Sequence, residues 1–261
     1  MRLPLKSALR LLSSLAVLSV VAGGSTMAAD ISVLSPAALR SSMDEIIPAF
    51  EKSSAHKTKM AFGPAGALVL RIQKDEPADV AIVTGSQVDD LQKQGKIVAG
   101  SKVNIARVGI GVFTRKGAQK PDIGSIEAFK RALLAAKSIG HHDPADGAPS
   151  GVFAARLLSS LDIAAELKPK IKVLPAGLPM FSAVAGGDID IALGQITEIL
   201  ERPGLELIGP LPSQIQNYTA FAAGIVARSE QRDAAKSLIG FLRTSSATAV
   251  MKSKGLEPAQ N

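Results

Sequence analysis

An α/β fold follows from three features of this 261-residue chain. Short runs of strand type alternate with longer segments of helical spacing along most of its length. Hydrophobic residues make up 46% of it, enough to bury a full core. Turns rich in Gly, Pro, Ser and Ala join several strands directly to the following helices, the pattern of mainly parallel sheets covered on both faces.

In chain order, ISVLS (31–35) reads as a buried strand. It leads through Pro36, well suited to a first helical turn, into a helix whose apolar stripe is Leu39, Met43, Ile46, Ile47 and Phe50. TKMAFG (58–63) is a second strand, followed by a helix over about 65–74. ADVAIVTG (78–85) is a third strand, followed by a short helix ending at Gly95. VGIGVFTRKG (108–117) is a fourth strand, and residues 125–137 form an amphipathic helix with Ser125 as N-cap. KSIGHHDP (137–144) is a strand that breaks into a loop before a helix at 149–161. The alternation continues with a strand at 170–175, a helix at 178–187 and a strand at 188–195. Two more strands, LELIGPLP and TAFAAGIVA, precede closing helices over 231–255. The apolar strands at 108–114 and 219–227 are separated by about a hundred residues holding their own βαβ units. That arrangement allows a second lobe inserted into the first and joined by two hinge strands. A single doubly wound sheet is the alternative that the pattern leaves open.

Composition removes several classes of function. Cys is absent, so disulfides, thiolate metal sites, iron–sulfur clusters and a cysteine nucleophile are excluded. With no Trp, one Tyr and eight Phe, an aromatic cage or a base-stacking platform is not expected. The formal charge is +7, but Arg2, Lys6 and Arg10 contribute three of those charges. They precede the apolar run LLSSLAVLSVVA (11–22) and the small residues before Asp30, the layout of a secretory signal peptide cleaved after Ala28 or Ala29. The run is too short to span a bilayer, which needs about 20 apolar residues. The remainder carries 27 basic and 23 acidic residues, a balance of +4. That surplus suits a soluble periplasmic protein meeting small anions and is too scattered for nucleic acid. No cofactor is expected. Three histidines, two of them adjacent, do not make a metal site.

The recurring chemical feature is a strand, a turn of small residues, then a helix N-terminus. It occurs around Ser35 and Ala38, around Ala65 and Gly66, and around Ser150 and Gly151. Free N–H groups and the positive end of the helix dipole make such turns anion cradles, and small side chains admit a ligand close to the backbone. Gln195, Thr197 and Glu198 follow the strand DIDIALG and could present an amide, a hydroxyl and a carboxylate to the same cleft. Arg40, Arg71 and Arg107 lie near its expected edges and could clamp carboxylates. His142 and Asp143, with His141, supply proton-handling types at a strand end, with a loop-anchoring role as the bland reading. A nucleophile elbow, a phosphate-binding loop and a dinucleotide fingerprint are all missing.

Five segments carry a resemblance: ISVLSPAALRSSMDEIIPAFEK, AFGPAGALVLRI, EPADVAIVTG, HDPADGAPSGVFAARLL and GGDIDIALGQITEIL. Together they resemble the periplasmic molybdate-binding-protein-like family, over roughly residues 30–257. The resemblance implies a type II solute-binding fold with two α/β lobes, two crossover strands and a ligand cleft between them. The expected division is 1–29 signal peptide, 30–111 plus 224–261 lobe 1, and 112–223 lobe 2. It also implies a monomer that captures a small anion and delivers it to an ABC-transporter permease, meeting the membrane only through that partner. Molybdate binders of this family use hydroxyls in the first two turns, where this chain has Ala38 and Ala65. They also carry a tyrosine after the strand at 188–195, where this chain has Gly194 and Gln195. Hydroxyls remain at Ser35 and Ser150, and the Asp143–Ser150 loop is longer. The expected ligand is therefore a small anion, an oxyanion or a di- or tricarboxylate, with molybdate disfavoured by these losses and the larger carboxylates admitted by them. The same group contains aconitate isomerase, so allylic proton transfer between trans- and cis-aconitate is the alternative function, with His142 and Asp143 as its expected catalytic pair and His141 or Glu198 as further groups that could supply the base and acid.

Overall fold

The computed structural model describes residues 28–259. The expected leader lies outside them except for Ala28 and Ala29. The first lobe opens with β1 (Asp30–Pro36), a 3₁₀ turn at 37–39 and α1 (Arg40–Ser54). β2 (Lys57–Gly63), α2 (Ala65–Gln73), β3 (Val80–Thr84) and α3 (Gly85–Lys93) follow. β1 pairs in parallel with β2 and with β3, the register Ser35↔Phe62 bringing the ends of β1 and β2 side by side. Adjacent residues of β1 face opposite ways, as period-2 geometry requires. Val33 packs with Leu39, Met43, Ile46 and Phe50 on one face of the sheet, and Leu34 with Leu68, Ile72, Val88 and Leu91 on the other.

β4 (Val103–Arg115) then carries the chain out of this lobe. α4 (Ile126–Ala135), β5 (Ile139–His142), α5 (Pro149–Ser160), α6 (Ala164–Leu167) and β6 (Ile171–Leu174) build the second lobe. α7 (Leu178–Gly186), β7 (Ile191–Gln195), α8 (Ile196–Leu200) and β8 (Leu205–Pro210) complete it. Ser125 caps α4 as expected, its hydroxyl accepting from the Ala128 N–H. Alternation repeats the two-faced packing: Val112 joins Phe129, Leu133 and Leu158, while Phe113 joins Met180, Phe181 and Val184. β9 (Tyr218–Ile225), α9 (Arg232–Phe241), α10 (Ser245–Ser253) and β10 (Glu257–Pro258) return to the first lobe.

The strand order β2-β1-β3-β9-β4-β7-β5-β6 joins both lobes through β4. Residues 103–109 of β4 pair with β9, and residues 110–115 with β7 and β8. The lobes are thus two separately cored sheets sharing one long strand, and the single doubly wound sheet does not form. β4, β8 and β9 run antiparallel to their neighbours, so the sheets are more mixed than the strand–helix alternation implied. β9 pairs with β3 and β4, within the first sheet. The loop at 211–217 precedes it.

That loop provides Gln216, whose side-chain amide serves as one rung of a ladder at the switch point. The Ile110 N–H donates to Gln216 Oε1 at 2.9 Å, and Gln216 Nε2 donates to the Ile110 carbonyl at 2.9 Å. The Ile110 N–H takes its acceptor from Gln216, while the Ile110 carbonyl is shared with the Leu211 N–H at 3.1 Å. Gln216→Ala is expected to lower unfolding free energy by about 1–3 kcal/mol in urea denaturation, because it strips the acceptor from the N–H of the buried Ile110.

Candidate functional site

A cavity of about 490 Å³ lies between the lobes, where the ends of β1, β2, β5 and β7 converge. The first lobe contributes Ala38, Arg40, Phe62 and Ala65, and the second contributes His142, Ser150, Gln195, Glu198 and Arg202. A wider depression of about 1040 Å³ lies in the first lobe between the C-terminal end of α1 and the turn that leads from β9 into α9, and shares no lining residue with this cavity.

Arginines reach the cavity from opposite lobes. The Arg40 guanidinium lies 4.1 Å from the Phe62 ring centre, and that of Arg202 lies 4.0 Å from the Phe181 ring centre. Stacking on rings positions each cation without consuming its N–H donors. Neither forms an ion pair or hydrogen bond among the described residues, and Arg202 Nε is buried without a partner. Gln195, 4% exposed, also leaves its Nε2 unpartnered. Buried donors without acceptors are uncommon in folded proteins, and here they surround one space.

His142 ends β5 with its ring 2% exposed and fixed on both nitrogens. The Gly177 N–H faces Nε2 at 3.4 Å, and Nδ1 lies 3.4 Å from Ser150 Oγ. A donor at Nε2 places the ring proton on Nδ1, which points it at the Ser150 oxygen and leaves the hydroxyl proton for the cavity. Burial, with nearby His141 and Arg202, lowers the His142 value to about 4, so its ring is neutral at pH 7. Glu198 goes the other way: burial raises its carboxyl to about 7, against the opposing pull of Arg202. Burial likewise lowers the Arg202 value.

Of the residues expected from sequence, Ala38, Ala65, His142, Ser150 and Gln195 line this cavity. Ser35 does not: it is fully buried and its hydroxyl turns toward the Pro36 carbonyl. Gly151 is committed to packing, since a Cβ there would lie 2.5 Å from the His142 carbonyl oxygen. Asp143 points its carboxylate to the Ala145 N–H at 2.8 Å and, with His141, borders a separate depression beside α5 and β6. Gly66 does not offer its N–H to a ligand. It donates to the Gly147 carbonyl at 3.1 Å, a backbone bond from one lobe to the other. A Cβ on Gly66 would lie 2.8 Å from Gly147 Cα, and Gly147 itself has φ +69°, so neither position tolerates a side chain in this closed contact. Arg71 and Arg107 are held by Glu76 and Glu257. Arg202 was missed. It lies just beyond the C-cap of α8, and no local pattern in the sequence singles it out.

The model of the bacterial extracellular solute-binding proteins matches residues 31–257. The chain belongs to that family. It is 31% identical over 234 residues to an aconitate isomerase from Pseudomonas sp, an alignment covering 87% of each protein. It is 25% identical over 236 residues to the molybdate-binding protein ModA of Azotobacter vinelandii, covering 87% of this chain and 90% of that one. A solved periplasmic molybdate-binding protein from Azotobacter vinelandii superposes with a TM-score of 0.74 at 18% identity, covering 88% of this chain and 100% of that one. The fold is therefore the two-lobed type II architecture of periplasmic binding proteins.

Two outcomes follow from this geometry. Folded Glu198 keeps its proton to a higher pH than the ordinary 4.5, so stability falls as pH rises from about 4.5 to 7. His142 has the opposite sign: its folded value lies below the ordinary 6.5, so stability rises with pH between about 4 and 6.5. Glu198→Gln removes only the first effect. Relative to wild type it is expected to gain roughly 1–3 kcal/mol at pH 8 and nothing near pH 4, measured by urea denaturation at both. Gly66→Ala is expected to leave thermal stability within about 1 kcal/mol while holding the lobes apart, which a larger radius of gyration in X-ray scattering would register.

Proposed function

We propose that this solute-binding protein is exported to the periplasm by its N-terminal signal and closes its lobes on a small organic anion with two or more carboxylates. It then presents that anion, as a monomer, to an ABC-transporter permease. The observation that carries this reading is the pair of arginines, one on each lobe, facing one cavity without acceptors of their own. A planar guanidinium matches a carboxylate with two parallel hydrogen bonds, and two on opposite walls match a molecule anionic at both ends. The cavity falls within the range of organic-ligand pockets, and a tetrahedral oxyanion would fill little of it. Ala38 and Ala65 offer no hydroxyls to an oxyanion, which leaves Ser150, Gln195 and the starts of α2 and α5 as neutral donors. For the lobe division we propose that the first crossing lies at residues 109–110 and the second in the loop ending at residue 217, where the strand pairing changes.

A second reading, in which bound aconitate is converted between its trans and cis forms, is favoured by the relative of that name.

Thermal unfolding of the mature protein with molybdate, sulfate, phosphate, citrate and both aconitates tests the ligand class. A carboxylate at a hundred times its Kd is expected to stabilise the fold by about 2.7 kcal/mol, with no shift from the oxyanions. Arg40→Ala and Arg202→Ala are each expected to weaken that ligand by about 10- to 100-fold in calorimetry, the range for a lost charge-assisted hydrogen bond. A shift with molybdate or sulfate and none with carboxylates would refute the proposal.

A further inference from the structure

A site that moves a carbon-bound proton needs a group that both touches the ligand and exchanges a proton near neutral pH. His142 is unsuited, since both ring nitrogens are engaged and the ring is held neutral. Asp143 lies off the cavity as an N-cap. Among the described residues lining the cavity, Glu198 is the one carboxylic acid, and no Lys, Tyr or Asp joins it. Its carboxyl accepts no hydrogen bond and forms no ion pair among the described residues, although Arg202 follows just beyond the end of α8. α8 lies at the seam between the lobes: Ile196 packs against the first lobe's core, and Gly255 approaches Leu200 and Thr197. Closure therefore brings Glu198 against whatever the two arginines hold.

We propose that Glu198 is a catalytic residue: its carboxylate removes a proton from the methylene carbon of a bound unsaturated tricarboxylate and returns it to the far carbon of the same allylic system. This inference rests on the second reading above. In the first half the methylene C–H bond breaks. Its electron pair spreads through the adjoining C=C and onto a neighbouring carboxylate, forming a dienediolate, and Glu198 holds the proton. In the second half a C–H bond forms at the former vinyl carbon, the double bond has moved by one position, and Glu198 is again a carboxylate. Nothing is oxidised or reduced and no co-reactant is consumed. Arg40, Arg202 and the Ser150 hydroxyl face the carboxylates on which the extra charge accumulates, as electrostatic stabilisation of such a state requires. A carboxyl that exchanges its proton near pH 7 is a stronger base than an ordinary glutamate, which supports the role.

The test incubates the mature protein with trans-aconitate in D₂O and follows proton NMR, with calorimetry on the same samples. Wild type is expected to form cis-aconitate and to exchange methylene and vinyl protons for deuterium. Glu198→Gln is expected to lose both by 10²- to 10⁴-fold while binding trans-aconitate within about tenfold of wild type. Glu198→Asp, with its carboxyl drawn back by one methylene, is expected to be slowed by about 10²-fold and is the second variant should the first not fold. Exchange at the wild-type rate in either variant overturns the inference. Wild-type binding without exchange or isomerisation also overturns it and leaves anion capture standing, whereas no binding of any tested carboxylate removes both.

Discussion

β4 belongs to two sheets, and the site exists because of that. A strand that fills one sheet up to Gly109 and another from Ile110 onward holds two independently cored lobes at a fixed distance, with a space between them that neither core can fill. Where the ladder changes partners, ordinary strand neighbours are missing on one side, and the Gln216 amide supplies the donor and acceptor. A side chain doing a strand's work thus completes the hydrogen bonding at the point where β4 passes from one sheet to the other.

The lobes meet at backbone level. The Gly66 N–H to Gly147 carbonyl bond closes one side of the cavity and consumes a donor that would otherwise face the ligand. The remaining donors come from the starts of α2 and α5 and from side chains: two arginines, Gln195 and Ser150. Their placement follows a common logic. Each arginine is stacked on a phenylalanine ring, so its position is fixed by apolar contact and its hydrogen-bonding edge remains open. The Ser150 hydroxyl is oriented by a neutral His142, itself oriented by the Gly177 N–H. The cavity is organised in advance for negative charge, with desolvation as the organising force.

Desolvation also gives the two titratable groups of the cavity opposite characters. It keeps His142 unprotonated and keeps Glu198 partly protonated near neutrality. The histidine becomes a fixed dipole and the glutamate becomes the group able to exchange a proton, the reverse of what free amino acids would do at pH 7.

Strands and helices were legible in the chain because their signals are local. Val33 and Leu34 alternate across a sheet, Leu39, Met43, Ile46 and Phe50 recur at helical spacing, and Ser125 caps its helix, whatever the rest of the molecule does. The placement of Ala65, Ser150 and His142 along the cavity was legible for the same reason, each sitting at a strand-to-helix junction with a recognisable pattern. The sequence by itself thus determined the α/β class, the strand-to-helix turns and the absence of thiol chemistry. Only the tertiary structure decided which of those turns face the cavity. Gly66 and Gly151 carry the expected motif yet spend it on packing, because a partner one lobe or one strand away takes the space. Arg202, Glu198 and Arg40 acquire their roles from the opposing lobe: burial and the lack of partners are properties of a closed interface, and no stretch of sequence contains both of its walls.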